Sequence, residues 1–321
     1  MSTTMQSAGP SRQGGLRPSS APVTLRSANP RYGEKVLLGF LMLAAAVSIL
    51  TTVGIVLSLI FPAIAFFREV SIGEFLTSTS WTPRFADKNY GVLPLITGTA
   101  WTTAIALAVA IPLGLGAAIY LSEYATPRVR KIFKPVLELL AGVPSVVYGL
   151  FAVAFVGPVI LKGWFGIGVG TYSVLAAGLV LGIMIIPTVA SLAEDAMTAV
   201  PRSLREASYG LGSNRMRTVL RVVFPAAISG IAASIVLALS RAVGETMIVA
   251  MGAGSQARMV AAPTEEGQTM TGFIAAAALG DSVQGTTDYN TLFAVGLTLF
   301  VITLLINLVS IKLVNRFREV Y

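Results

Sequence analysis

The chain is patterned in long apolar runs separated by short, mostly basic polar segments. Six runs are long enough to cross a bilayer, whose core of about 30 Å takes about 20 apolar residues in a helix. The first extends from Val36 to Phe67. The others lie near Leu95–Leu121, Leu139–Leu161, Tyr172–Leu192, Pro225–Ala253 and Thr291–Val314. Their length and continuity predict helices, since barrel strands would alternate over about ten residues. The fifth run is less regular, because Arg241 and Glu245 interrupt it. Phe273–Leu279 is apolar but too short to span, which predicts an interfacial or re-entrant turn. Residues 1–33 are rich in Ser, Pro, Gly and Arg and carry no helical period, so they read as a disordered tail. Its length, and an apolar run longer than a signal h-region, argue against a cleaved signal peptide.

Composition agrees with that pattern. Of 321 residues 55% are hydrophobic and 12% charged, with a mean hydropathy of +0.77. The charged share is about half of what soluble domains carry, which excludes a soluble globular enzyme. Histidine and cysteine are absent. Cys/His zinc sites, thiol or Ser-His catalysis and disulfides are therefore excluded, and chemistry falls to Arg, Lys, acids, hydroxyls and backbone. Basic residues gather in the tail, in Arg128–Lys134, in Arg202–Arg221 and at the C-terminus, whereas the alternate segments hold Arg68, Arg84, Lys88, Lys162 and Arg258. This bias predicts cytoplasmic termini and supports six spans independently. The net charge of +8 is largely this bias, so it does not point to nucleic acid.

The loop after the fourth span reads as helix, turn, helix over Pro201–Pro225. Ser203 and Glu206 have capping-box spacing, and Gly212 can supply the left-handed residue that ends the first helix. Ser213 or Asn214 can cap the second. Two readings stay open on spacing alone: a capped, solvated loop, or a short helix across the bundle that receives a push from a partner.

In the fifth run Arg241 and Glu245 stand at i and i+4, one face of a helix. Counted from Pro225, Arg241 lies roughly 24 Å along the axis, which is membrane-embedded. A buried arginine must face a cavity or a partner. It either forms a structural ion pair with Glu245 or offers its fork of donors to a crossing anion, for which guanidinium suits tetrahedral oxyanions. In the third run Pro144 removes a backbone donor, and Ser145 and Tyr148 add polar groups. This is a kink that opens a pathway or a packing irregularity. Gly114-x-Gly116 and Gly166-x-Gly168-x-Gly170 lack the strand and the Gly-Lys-Ser/Thr of a phosphate loop, so ATP must bind another chain. Helix packing and a short turn explain them better.

Glu206-Ala-Ser208, Gly212 and Val222-x-Phe224-Pro225 resemble the EAA motif of ABC importer permeases, with spacing intact and Ser, Val and Phe as replacements. Ser240-Arg-Ala-Val-Gly-Glu-Thr-Met247 and Leu140-Ala-Gly-Val-Pro-Ser-Val-Val-Tyr-Gly-Leu150 resemble segments of the phosphate importer permeases. Trp81-Thr-Pro83, Tyr90-Gly-Val-Leu-Pro94 and Gly98-Thr99 resemble their C-type (PstC-like) subunit. The likeness covers roughly residues 33 to 318. It implies an all-α, six-span type I importer (MetI-like) permease: an N-terminal helix and external loop over 34–94, a five-helix core over 95–314 with a coupling loop at 194–224, and a cytoplasmic end at 315–321. It implies a bacterial or archaeal plasma or inner membrane. Implied partners are a PstA-like second permease, a PstB-like ATPase dimer that holds ATP and Mg, and a PstS-like extracytoplasmic phosphate-binding protein. This chain itself would be non-catalytic and without cofactor. Arg205, Glu206, Ala207 and Gly212 would then serve coupling. Arg241, Glu245, Ser145 and Tyr148 would serve the phosphate path. A permease for phosphonate or sulfate is the alternative, and a channel or secondary anion transporter stands further off.

Overall fold

A computed structural model describes residues 32–280 and 283–316. Residues 1–31 of the predicted tail and the last residues 317–321, with the basic residues they hold, lie outside the described residues; the tail's final two, Tyr32 and Gly33, are not disordered but open a helix. The chain divides into two compact units at Thr52/Val53. Within the first, the described residues are helical and exposed. The rest of this section concerns the second.

Helix α1 (Tyr32–Glu69) contains the first predicted span. Its last turns bury Ala63 and Phe66, and α2 (Ile72–Thr77) follows, capped by Ser71, whose Oγ accepts from Glu74 N at 3.1 Å. Helix α3 (Leu93–Ile119) runs on through a π-helical turn at Tyr120–Tyr124. Helix α4 (Pro127–Ala141) begins at a Thr126 cap and buries no residue. Helix α5 (Ser145–Phe151) continues as the π-helical stretch Ala152–Trp164, and α6 (Val174–Thr198) is the most buried helix. Next come α7 (Arg202–Gly210), then α8 (Arg215–Thr218) with a π turn at Val219–Val223, and α9 (Phe224–Ala226). The chain closes with α10 (Ile228–Gly244), α11 (Met247–Gly252), α12 (Met270–Ala278) and α13 (Thr287–Arg316).

Among the described residues five helical stretches are long and apolar enough to cross a membrane, or six with the bent pair Arg215–Ala226 and Ile228–Gly244 counted as one. Two of the predicted spans need correction. The third does not begin at Leu139: α4 stops at Ala141, and the apolar stretch is Ser145–Trp164. Pro144 has no N–H to donate and drives Val143 away from helical backbone, so the helix cannot pass through. The fifth is not one helix. It bends by 71° at Ala227 and breaks again at Glu245, whose ψ of 133° is extended. The short apolar segment near Phe273 is a nine-residue helix, too short to span.

Apolar side chains form three clusters. One, around Phe66, Phe75, Trp81, Leu95 and Phe273, includes a run of edge-to-face rings. There the 81–90 loop closes by an antiparallel bridge from Trp81 to Tyr90, and Lys88 pairs with Asp288 at 2.9 Å, which holds the Lys88 ammonium above the usual lysine range. The middle cluster centres on α6, with Leu181, Met184 and Ile185 against Ile248. The third gathers Ala118, Met197, Val223 and Ile231 at the opposite end of the bundle.

Helices α3 and α6 mesh along a seam of small residues. A Cβ at Gly182 would stand 2.9 Å from the Ala106 carbonyl, one at Gly178 would stand 2.8 Å from Ile105 Cβ, and one at Gly114 would stand 2.7 Å from Val189 Cβ. Close backbone approach is what small residues supply where water gives no drive for helix association. Gly116 has open space, so of the Gly114-x-Gly116 pair only Gly114 is a packing residue. Gly166, at φ +65°, makes the turn expected of its glycine-rich segment.

Candidate functional site

Two sites emerge. The first lies where α10 ends and α11 begins. Arg241 occupies the last turn of α10, and its Nη1 donates to Thr188 Oγ1 at 3.2 Å. Thr188 is near the middle of α6, about 21 Å from one end and 15 Å from the other at 1.5 Å per residue. The guanidinium is therefore level with the middle of the bundle, at a helix C-terminus whose partial negative charge favours a cation. The depth count from Pro225 fails, because the chain bends at Ala227.

The i, i+4 geometry is corrected. Glu245 lies outside α10 on extended backbone, and among the described residues no ion pair joins it to Arg241. Its Oε1 instead accepts from Met247 N at 3.2 Å and Ile248 N at 3.5 Å, satisfying donors that open α11. Thr271 of α12 donates its hydroxyl to the Glu245 carbonyl at 2.6 Å. A break inside an apolar helix bundle leaves backbone groups that protein must satisfy, and these contacts do so.

Helix α5 packs on α11: a Cβ at Gly149 would stand 3.1 Å from the Met247 carbonyl and from Met251. Tyr148 donates to the Leu140 carbonyl at 3.0 Å, across the break that Pro144 creates. Ser145 opens α5, half-buried. The four residues thus sit around two adjacent helix breaks, with Arg241 exposed and its remaining donors open.

The second site is the loop at the far end. Helix α7 starts at Arg202 with Pro201 as its cap, so Ser203 and Glu206 are both inside the helix and no capping box forms. Gly212 does adopt the left-handed backbone, at φ +80°. Ser213 N donates to Ser208 O at 3.2 Å and Gly212 N to Tyr209 O at 2.9 Å, the paired bonds of a Schellman end. Asn214 caps α8, accepting from Arg217 N at 2.8 Å. Ser208, where the motif carries alanine, shares a 2.9 Å hydrogen bond with Thr218, and both are buried.

Glu206 and Ala207 face solvent, as do Leu211 and Met216. Arg205 does not. Its Nη2 donates to Glu123 Oε1 and to the Met197 carbonyl, both at 2.8 Å, and Nη1 donates to the Val200 carbonyl at 2.6 Å. It fastens the loop to the π turn after α3 and to the end of α6. Beside it Arg130 and Lys134 of α4 pair with the buried Glu194, and Lys134 also with Asp195 at 2.6 Å.

The sequence model of the family described as binding-protein-dependent transport system inner membrane component matches residues 110–319. The chain belongs to that family. This inner membrane component is 40% identical over 236 residues to YqgH of Bacillus subtilis, named a probable ABC transporter permease protein, covering 74% of this chain and 75% of that one. It is 36% identical over 256 residues to the phosphate transport system permease protein PstC of Mesorhizobium japonicum, covering 73% and 75%. With PstC 1 of Mycobacterium tuberculosis it shares 37% over 281 residues, covering 76% and 82%. Its fold is that of type I importer permeases. A bacterial ABC transporter involved in the import of the acidic polysaccharide alginate superposes with a TM-score of 0.59 at 17% identity, over 90% of this chain and 100% of that one. The MetNI methionine ABC transporter, inward facing, gives 0.52 at 19% identity over 71% and 95%.

Sequence reasoning missed three residues of this permease: Thr188, Glu123 and Thr271. Thr188 and Thr271 are ordinary threonines whose partners are distant along the chain, and the one available signal was at Glu123, an acid just before the basic segment Arg128–Lys134.

Proposed function

We propose that the chain is a transmembrane permease subunit of an ATP-driven inorganic phosphate importer and supplies half of the pathway. The observation that carries this reading is the state of Arg241. Its guanidinium stands at mid-bundle, exposed, with a neutral hydroxyl as its hydrogen-bond partner among the described residues. A cation so placed, without a carboxylate to neutralise it, is set to receive an anion through its planar fork. The phosphate transport names of relatives at 36–37% identity select phosphate among oxyanions. With Oε1 engaged as a cap, Glu245 keeps Oε2 to accept a hydrogen bond from a protonated phosphate. Tyr148 and Ser145 line the approach at the α4–α5 break.

Basic-residue bias supports cytoplasmic termini and puts the α7–α8 loop on the cytoplasmic side of a bacterial or archaeal inner membrane. Glu206 and Ala207, with exposed Leu211, offer the face on which an ATPase subunit docks, while Arg205 and Gly212 hold that face in shape. ATP and Mg belong to the ATPase dimer, a second permease completes the pathway, and an extracytoplasmic binding protein delivers phosphate. ATP binding closes the dimer and moves the loop, turning the path outward; hydrolysis resets it.

The test is Arg241→Gln in the assembled importer. Phosphate uptake should be lost while the complex still purifies intact and Arg241→Lys recovers little. Normal uptake by Arg241→Gln would return Arg241 to a structural role.

A further inference from the structure

Away from both sites, a cavity of about 570 Å³ opens between the 81–85 loop, the 255–258 loop and α12. Arg84 and Arg258 are on its wall, and among the described residues no carboxylate is. The carboxylate of Glu266 is engaged by backbone: Oε1 accepts from Ser255 N at 3.0 Å and Gln256 N at 3.3 Å. Arg258 gives its Nε to the Glu266 carbonyl at 3.1 Å, which fixes the guanidinium and leaves its Nη donors open. Among the described residues no ion pair reaches either arginine. Gln268 lines the same cavity at 7% exposure, and its side-chain amide makes no hydrogen bond among the described residues. Trp81, also on the wall, has a buried indole N–H without a partner among the described residues. Buried polar groups are nearly always satisfied, so an unpartnered indole N–H beside two guanidiniums with open donors marks a place for a ligand that accepts hydrogen bonds.

We propose that this cavity is a second oxyanion site, a receiving station for inorganic phosphate at the mouth opposite the α7–α8 loop. It rests on the phosphate-permease reading for the identity of the anion. Arg84 and Arg258 supply the charge, and Gln268 supplies a neutral amide donor. The residues that follow Gln268 lead inward. Met270 N donates to Thr99 Oγ1 of α3 at 3.0 Å, and Thr271 hydrogen-bonds the Glu245 carbonyl. A short, firmly held segment thus joins the cavity to the break that carries Glu245. Positive charge focused at a mouth raises the local anion concentration and the rate of capture.

The natural absence of cysteine makes the test clean. Gln256→Cys places one thiol at the cavity rim. Its reaction with N-ethylmaleimide, an uncharged reagent, is timed in the full chain reconstituted in neutral phosphatidylcholine, with and without inorganic phosphate. At ten times the dissociation constant, phosphate should slow labelling about tenfold, since protection follows occupancy. Adding Arg84→Gln and Arg258→Gln should abolish the protection. Adding Arg241→Gln should leave it intact while uptake in the assembled importer is lost, which separates failure of this site from failure of the central one. An unchanged rate with phosphate would overturn the proposal. So would protection by a phosphate-free binding protein alone, which would make the two arginines docking contacts for its carboxylates.

Discussion

Arg205 and Glu123, 82 residues apart in the chain, form a 2.8 Å ion pair in which Glu123 is almost wholly buried. The pair ties the α7 loop to the end of α3. Arg205→Met should therefore leave Glu123 buried and uncompensated, at a cost of about 3–5 kcal/mol. A clear fall in the thermal midpoint, together with weakened ATPase association, is the expected result. Arg205→Lys should not rescue it, since one ammonium cannot reach Glu123 and two carbonyls together. A midpoint unchanged in Arg205→Met would mean that the pair does not hold the loop.

Ser208 and Thr218 offer a cleaner case. Ser208→Ala strands a buried hydroxyl and should destabilise by about 1–2 kcal/mol, whereas Ser208→Ala with Thr218→Val removes both partners and should recover most of it. Denaturation of the four forms measures the coupling directly. Strict additivity would show that the hydrogen bond contributes nothing.

Gly212→Ala should cost about 1–2 kcal/mol through backbone alone, since φ is +80° and no atom stands near the added methyl. Gly210→Ala, with equally open space and no positive φ, is the control and should be near neutral or favourable. Equal effects at both positions would contradict the turn geometry.

Glu245 separates cap from charge. Gln keeps an oxygen for the Met247 and Ile248 N–H groups, so Glu245→Gln should retain wild-type stability yet lose phosphate uptake. Glu245→Ala should lose both, with about 1 kcal/mol of stability gone with the cap. Full uptake by Glu245→Gln would confine Glu245 to capping.

Lys134 carries a pH signature. Hydrogen bonds to Asp195 and then Glu194 outweigh burial and raise its pKa. A folded pKa above the unfolded one means that its stabilisation is complete below the ordinary lysine range and is lost only as pH rises through the raised value. Lys134→Met should thus lower the thermal midpoint by a constant amount across neutral pH, with the difference shrinking only in strong alkali. A difference that faded near neutrality would point to another group.

The spans were legible because bilayer thickness sets a length that hydropathy must meet, and Val36–Phe67 or Tyr172–Leu192 meet it without help from tertiary structure. The breaks were not. A straight helix and one broken at Ala227 and Glu245 have the same composition, and only Pro144 announced its break. Ser203 and Glu206 fit a capping box by spacing, but helix start is decided by Pro201, two residues earlier. Arg241 was conspicuous as a charge in an apolar run. Thr188, which holds it, is one threonine among many and needs the α6–α10 packing to be noticed.

The glycine seam between α3 and α6 limits how such a molecule can move. With Gly114, Gly178 and Gly182 each seated against a neighbour's backbone or branched side chain, neither helix can slide or roll past the other without collision. The two behave as one beam. Displacement of the α7 loop, bolted to the end of that beam through Arg205, must be taken up where the backbone is already interrupted, at residues 142–144, at Ala227 and at Glu245. One of those joints, Glu245, lies four residues beyond Arg241 at the end of the same helix, so an interruption of the backbone and the charged centre stand side by side.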